Sequence, residues 1–131
     1  MSDIEHARQL LSMAARDLTA LKGMADLRTF ADEIFGFHAQ QVVEKSLKAW
    51  ITALGSDYPF IHDISALLAR LEDLGCEVDH FWDLVELNAF AVQFRYETLD
   101  TAEVPLERLK LIIDVEKLFV HVSNVLVSSN P

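Results

Sequence analysis

Three clusters of polar side chains have the residue types that could hold an anion or move a proton. They lie along the chain as Gln41, Glu44, Lys45 and Lys48, then His62 and Asp63, then Arg95 and Tyr96. A guanidinium binds phosphate or carboxylate through paired N–H donors, and an imidazole exchanges a proton near neutral pH. We therefore take six of these residues as candidate anion- or partner-binding residues: Glu44, Lys45, His62, Asp63, Arg95 and Tyr96.

Each cluster also has a purely structural interpretation. Glu44 and Lys48 are four residues apart and would form an ion pair on a hydrated helix face. Asp63 would cap the helix that follows it, with His62 bonded to the carboxylate. Arg95 would complement the negative C-terminal end of a helix. Both interpretations stay open for all three clusters.

The charge of the chain is strongly acidic and unevenly distributed. The net charge is −10, and residues 56–104 hold eleven acids against only Arg70 and Arg95. Nucleic-acid binding depends largely on cations that neutralise phosphates. The negative electrostatic field of the whole molecule therefore disfavours the binding of RNA and DNA. The acidic stretch either keeps the protein in solution or docks a basic partner. Within it, Arg95 stands out as an anion contact.

Signatures of other chemistry are missing from the sequence. There is no Gly-rich phosphate loop, nucleophile elbow or His-Glu-x-x-His pair. The histidines are scattered, and His38 beside Gln41 is interpreted as a polar patch that neighbouring helices satisfy. One Glu-x-x-His run, from Glu77 to His80, lacks the second copy that a di-iron bundle needs. Cys76 is the single cysteine and is interpreted as a small loop side chain. We expect no metal and no cofactor.

Length and composition indicate one globular domain. The chain has 131 residues, of which 51% are apolar, so we expect a single domain over residues 1–131. No apolar run approaches the ~20 residues that a bilayer span needs. The first residues lack the charged-then-apolar layout of an export signal. We therefore expect a cytoplasmic protein without membrane contact.

Apolar residues recur every three or four positions, and no segment of useful length alternates with a period of two. This pattern predicts an all-α fold, an up-and-down antiparallel bundle of four long helices and one short helix. The long helices are predicted over residues 3–22, 27–54 and 105–128 and from Asp79 to Tyr96, and the short one between Asp63 and Gly75.

Several helix ends carry capping signals. Ser2 and Glu5 have the spacing of a capping box, and Gly23 stands where a left-handed C-terminal cap is expected. Asp79 is a good N-cap for the fourth helix, which is apolar over much of its circumference and is expected to be central. Gly36 interrupts the second helix, so either a neighbour crosses closely there or the helix bends.

The three polar clusters, in this order and on these helices, resemble the HEPN family, named for higher-eukaryote and prokaryote nucleotide binding. The family has an aromatic-x-x-x-Gln-x-x-Glu-Lys-x-x-Lys-Ala helix, a His-Asp-Leu-x-x-Leu helix start and an Arg-Tyr ending of a central helix. The similar pieces here are Phe37-His38-Ala39-Gln40-Gln41-Val42-Val43-Glu44-Lys45-Ser46-Leu47-Lys48-Ala49, His62-Asp63-Ile64 with Leu67-Leu68, and Phe94-Arg95-Tyr96.

The resemblance implies a helical bundle that usually pairs into a homodimer. Many members are metal-independent ribonucleases, often toxins or defence proteins, with an Arg-x(4-6)-His motif, and others partner a small nucleotidyltransferase. Arg95 corresponds to the family arginine. The positions where the histidine would fall are Asp100, Thr101 and Ala102, and none of these is an imidazole acid or base.

Three functions follow as hypotheses. The first is a homodimeric, non-catalytic HEPN-like module that binds a nucleotide or a partner, with a nucleotidyltransferase beside it. The second is a metal-independent ribonuclease in which His62 or His38 supplies the missing imidazole. The third is an interaction module whose acidic middle occupies a basic groove of another protein.

Overall fold

Residues 3–26, 28–91 and 107–129 are described by this computed structural model, and within them the chain forms five helices and no strand. They are α1 (Asp3–Lys22), α2 (Asp32–Ala53), α3 (Ile64–Asp73), a 3₁₀ helix (Asp79–Phe90) and α4 (Arg108–Ser129). The predicted all-α bundle is confirmed. None of these helices combines the length and apolar character needed to cross a bilayer.

The central element is α2, and the expectation that the fourth helix is central is wrong. Helix α2 packs against α1, α3, the 3₁₀ helix and α4. Fourteen of its 22 residues are buried, and they lie on every side of the helix. The buried set includes polar residues as well as apolar ones, so the middle of the bundle contains hydrogen-bonding groups that neighbouring elements must satisfy.

Helix α1 has the predicted bounds, whereas α2 begins five residues later than predicted. The delay has a local cause, because Asp26 forms a turn just before it. The Asp26 carboxylate accepts hydrogen bonds from the backbone N–H of Arg28 at 2.9 Å and from Thr29 Oγ1 at 2.7 Å. A side chain that bonds its own downstream backbone competes with helix formation. The predicted start of the helix, Leu27, lies outside the described residues.

Glycine ends two helices in the left-handed conformation. Gly55 has φ of 78° after α2, and Gly75 has φ of 88° after α3. In each case the next residue donates back into the last turn, as Ser56 N does to Ile51 O at 3.2 Å. This is the Schellman arrangement, which satisfies carbonyl groups at the helix end. The left-handed cap predicted at Gly23 is wrong, because the residue does not have a positive φ. Ser2, Pro105 and Tyr96 lie outside the described residues.

The fourth helix is a 3₁₀ helix of 12 residues instead of an α-helix. Its buried residues are spaced three apart: Phe81, Leu84, Leu87 and Phe90. A helix with three residues per turn places all four on one face, whereas an α-helix would spread them around its axis. Asp79 is not the N-cap, because that position belongs to Val78 and no side chain caps the helix.

Gly36 marks the closest approach between α2 and the 3₁₀ helix. A Cβ atom built on Gly36 would lie 2.5 Å from Cγ and Cδ1 of the Phe90 ring. No side chain fits there without movement, so the glycine provides the space for the aromatic ring. Of the two predicted explanations for this glycine, the close crossing is the one observed.

Arg108 fixes the first turn of α4 to the connection between α1 and α2. Its side chain is buried, and the guanidinium lies 5.0 Å from the centre of the Phe35 ring. It donates to the Asp32 carboxylate at 2.9 Å and to three backbone carbonyls, those of Met24, Asp26 and Phe30. The planar donor set of arginine allows one side chain to join four acceptors.

Candidate functional site

Glu44 is a buried carboxylate in the middle of α2, and three donors surround it. Its side chain is 5% exposed. It accepts hydrogen bonds from Gln40 Nε2 at 2.9 Å, from Lys48 Nζ at 3.2 Å and from His62 Nδ1 at 2.8 Å. Gln40 and Lys48 lie one helical turn before and after Glu44, so the helix itself positions them. The predicted ion pair between Glu44 and Lys48 is confirmed, but the prediction that it lies on a hydrated helix face is wrong, because both side chains are buried.

These contacts determine the ionisation of Glu44. Burial by itself raises the pKa of this carboxyl, but the hydrogen bonds from Gln40 and His62 and the charge of Lys48 outweigh it. The net result is a pKa below the ordinary value of 4.5, so Glu44 is ionised at neutral pH. Because Lys48 neutralises the carboxylate locally, the pair adds little repulsion toward an anion at the surface.

His62 connects the buried Glu44 carboxylate to the surface of the protein. Its side chain is 60% exposed, although its partner Glu44 is buried. An ionised carboxylate only accepts hydrogen bonds, so Nδ1 carries the proton and Nε2 keeps its lone pair when the ring is neutral. Nε2 makes no hydrogen bond to any residue in the described part of the chain. The sequence suggested Asp63 as the partner of this histidine, and the structure instead assigns Glu44.

Asp63 has the capping role that the sequence indicated. As N-cap of α3 it accepts from Ser65 N at 3.0 Å and from Ser65 Oγ at 2.6 Å. Asn88, on the 3₁₀ helix, donates to the same carboxylate at 2.9 Å and accepts from Ile64 N at 2.8 Å. The Ser65 hydroxyl, and then Asn88 and the backbone, hold the pKa of Asp63 below its ordinary value. Asp63 thus orients the start of α3, next to His62.

Lys45 contacts a different group. Its Nζ lies 2.6 Å from Asp17 Oδ2, and His38 Nδ1 lies 3.3 Å from the other oxygen of the same carboxylate. Asp17 belongs to α1, so this cluster joins α1 to α2. The predicted polar patch around His38 is thereby satisfied from a neighbouring helix. Among the candidate residues, the structure brings Glu44 and His62 into contact and places Asp63 beside them, and Lys45 touches neither Glu44 nor His62.

The polar network continues beyond the predicted residues. Gln41 Nε2 donates to Gln40 Oε1 at 2.7 Å. Lys48 Nζ lies 5.2 Å from the centre of the Tyr58 ring, a cation–π contact. Sequence reasoning missed Gln40 and Tyr58. The position of Gln40, four residues before Glu44, was the signal that could have found it.

Arg95 and Tyr96, and the positions Asp100, Thr101 and Ala102 after them, lie outside the described residues. Burial raises the pKa of the Cys76 thiol, so this cysteine is less reactive than a free one. In the three described ranges, no group of three or more histidine, cysteine or acidic residues is arranged to hold a metal ion.

The family model described as HEPN domain matches residues 7–125. This match covers most of the 131 residues and includes α2, the start of α3 and the Glu44–His62 contact. Comparison with curated proteins and with solved structures finds no match. The helical bundle and the polar helix α2 agree with the family assignment, and the chain belongs to the HEPN domain family.

Proposed function

We propose that this HEPN domain is a nucleotide-binding module whose ligand contacts the exposed edge of His62. The observation that supports the proposal is the hydrogen bond from His62 Nδ1 to the buried Glu44, which leaves Nε2 of a 60% exposed ring for a ligand. When protonated, this nitrogen donates to a phosphate oxygen, and when neutral it accepts from a ribose hydroxyl. Asp63 orients the same loop.

Arg95 is the second phosphate contact in this proposal, with Tyr96 beside it, and this part is taken from the family resemblance. A guanidinium supplies the paired donors that a phosphate group needs. Lys45 supports the site indirectly, since its bond to Asp17 holds α2, the helix that carries Glu44, against α1. The proposed module has no catalytic histidine at the family position and acts by binding.

Isothermal titration with ATP, GTP and a short single-stranded RNA tests the proposal. We expect His62→Gln and Arg95→Ala each to weaken binding by about tenfold or more, the effect of losing one charge-assisted hydrogen bond. His80→Gln is the matched control, because His80 is also an exposed histidine but lies on the 3₁₀ helix. Absence of binding at millimolar ligand, or binding that survives both variants, would contradict the proposal.

We also propose that the module forms a homodimer through α4. Four of its apolar side chains are exposed, at 71%, 54%, 49% and 74%: Leu109, Ile113, Val120 and Val127. Their spacing of four, seven and seven residues places them on one stripe of the helix. An exposed apolar stripe of this kind is typical of an interaction surface. Sedimentation equilibrium tests it: Val120→Glu should give a monomer, and Met13→Glu, on an exposed position of α1, should not.

A nucleotidyltransferase is the protein partner that the family resemblance suggests, and we propose that it forms a complex with this chain. Coexpression with the nucleotidyltransferase encoded nearest to this chain, followed by affinity purification, tests the proposal. A stable complex that survives gel filtration supports it, and separate elution of the two proteins contradicts it.

The second candidate function is a metal-independent ribonuclease, and the orientation of His62 favours it. A carboxylate on Nδ1 fixes the tautomer that leaves Nε2 as a general base. Cleavage of RNA in the presence of a chelator, lost in His62→Ala and retained in His38→Ala, would establish this activity. His38 is the matched control because its Nδ1 also faces a carboxylate, that of Asp17. Absence of RNA cleavage at high protein concentration would refute the ribonuclease function.

A further inference from the structure

Phe60 is an aromatic side chain that the fold leaves almost entirely uncovered. It lies in the loop between α2 and α3, two positions before His62. The residue is 94% exposed, and its neighbour Ile61 is 43% exposed. An aromatic ring stabilises a structure through the area it buries. Phe60 therefore contributes little to folding, and nearly all of its surface is open to a ligand.

A contact with Tyr58 gives the exposed ring a defined position. The Phe60 and Tyr58 rings meet edge to face, with 5.9 Å between their centres and 68° between their planes. Tyr58 is in turn held from two helices. Its phenol oxygen lies 2.9 Å from Nε2 of His6 on α1, and Lys48 Nζ on α2 lies 5.2 Å from its ring centre. A ring held in place loses less conformational freedom when a ligand stacks on it.

One of the residues that hold Tyr58 also belongs to the network around His62. Lys48 donates to Glu44 at 3.2 Å, and Glu44 accepts from His62 Nδ1 at 2.8 Å. Phe60 and His62 are thus both anchored to the same stretch of α2. Their Cα atoms are at most about 7 Å apart, because only two peptide units separate them. One nucleotide, with its base and its phosphate on opposite sides of the ribose, can reach both side chains.

The charges around these two side chains determine which end of a nucleotide lies where. The exposed carboxylates of Asp3 and Asp57 line the cavity beside Phe60. A phosphate group would be repelled there, whereas an uncharged base would not. At His62 the contacting carboxylate belongs to an ion pair within α2, and the Asp63 carboxylate is occupied by three donors of its own. The base end therefore belongs at Phe60 and the phosphate end at His62.

On the basis of the nucleotide-binding function proposed above, we infer that Phe60 is the residue on which the base of the nucleotide stacks. Every base has a π-face, so stacking on an aromatic side chain adds affinity without selecting one base. The ligand class is a nucleoside phosphate, in which the base is required but its identity is not read by Phe60. An apolar segment of another protein would also cover the ring, but it would make no use of the exposed imidazole of His62.

Isothermal titration of the full chain with ATP and with tripolyphosphate tests the inference, because tripolyphosphate has the phosphate chain without the nucleoside. We expect ATP to bind about tenfold more tightly, the effect of stacking one base. Phe60→Leu should remove this difference by weakening ATP binding about tenfold, and it should leave tripolyphosphate binding unchanged. Ile61→Ala, the matched change at the neighbouring exposed apolar residue, should leave the binding of both ligands unchanged.

Phe60→Trp separates stacking from simple apolar contact. This variant keeps a π-face, so we expect an ATP affinity equal to or above that of the unchanged chain. ATP should also quench the fluorescence of the added tryptophan, and tripolyphosphate should not. A loss of ATP affinity in Phe60→Trp as large as that in Phe60→Leu would overturn the inference.

The outcomes separate this inference from the proposed function. Equal affinities of ATP and tripolyphosphate for the unchanged chain, or equal losses in Phe60→Leu and Ile61→Ala, would overturn the role of Phe60. ATP binding that is lost in His62→Gln but unaffected by Phe60→Leu would overturn it too, and would retain the proposed nucleotide site. If neither ligand binds the unchanged chain, the proposed function fails and this inference fails with it.

Discussion

The Nδ1 atom of His62 lies 2.8 Å from Oε1 of Glu44 and so joins an exposed loop to the buried middle of the central helix. The contact is not local, because 18 positions separate the two residues. It makes the loop before α3 part of the polar interior of the bundle. The ionisation of Glu44 therefore affects both the stability of the fold and the orientation of the candidate binding residue.

The stability of the fold should decrease in acid through Glu44. The folded-state pKa of this carboxyl lies below its ordinary value of 4.5, so the ionised form stabilises the folded state. This contribution is complete above the unfolded-state pKa and is lost as the pH falls through the lower folded-state value. We expect Glu44→Gln to flatten the decline of unfolding free energy below pH 4.5, measured by urea denaturation at successive pH values. Glu86→Gln, at an exposed position, is the control, and identical curves for the two variants would contradict the expectation.

Removal of the α3 cap should destabilise the fold moderately. Asp63→Ala leaves Ser65 N without its acceptor and removes the partner of Asn88 Nδ2. We expect a loss of about 1 kcal/mol in unfolding free energy, the usual effect of losing an N-cap. Asp63→Asn, which keeps an acceptor oxygen, should lose less. Urea denaturation checks both, and an equal loss for the two variants would argue against a capping role.

Replacement of Arg108 should be among the most destabilising single changes. Arg108→Met leaves Asp32 and three carbonyls without their shared donor, and removal of one partner from a buried ion pair costs about 3 kcal/mol or more. Arg108→Lys keeps the charge but cannot reach all four acceptors, so we expect an intermediate loss. Lys110→Met, exposed on the same helix, should change the stability little. Equal melting temperatures for Arg108→Met and Lys110→Met in thermal unfolding would refute this account.

Gly36→Ala should destabilise the protein although alanine favours helices. The added methyl would meet the Phe90 ring at 2.5 Å, so the ring or the helix must move. Overpacking of this kind costs about 1–3 kcal/mol, which exceeds the gain of about 1 kcal/mol in helix propensity. Phe90→Leu should relieve part of the loss in the double variant. A stabilising Gly36→Ala would show that the ring moves at little cost.

The sequence predicted the elements whose apolar residues recur with the ordinary helical period. Helix α1 has its predicted bounds, and Asp63 caps α3 as expected. The sequence predicts an α-helix where the 3₁₀ helix lies, because buried residues three apart also fit an α-helical pattern over a short stretch. The left-handed cap predicted at Gly23 is not observed, because a glycine after a helix permits such a cap without requiring one.

The sequence indicates which residues belong to the candidate site but not which of them contact one another. Glu44 and Lys48 follow from helix spacing alone, whereas the contact between His62 and Glu44 depends on how the loop returns to α2. The role of Arg108 could not be predicted, because its burial depends on how α4 packs against the connection between α1 and α2. A buried cation at a helix N-terminus opposes the helix dipole, and that position indicates acceptors supplied by another part of the chain.

The 3₁₀ geometry of the fourth helix decides how far it reaches along α2. Phe90 meets α2 at Gly36, and Phe81 meets it at Trp50, with 6.3 Å between the ring centres. These two points on α2 are about 21 Å apart at the α-helical rise. From Phe81 to Phe90 the chain extends about 18 Å in the 3₁₀ form but only about 13.5 Å as an α-helix. The tighter winding therefore produces a longer rod, which matches the distance between the two aromatic anchors more closely than an α-helix of the same residues would.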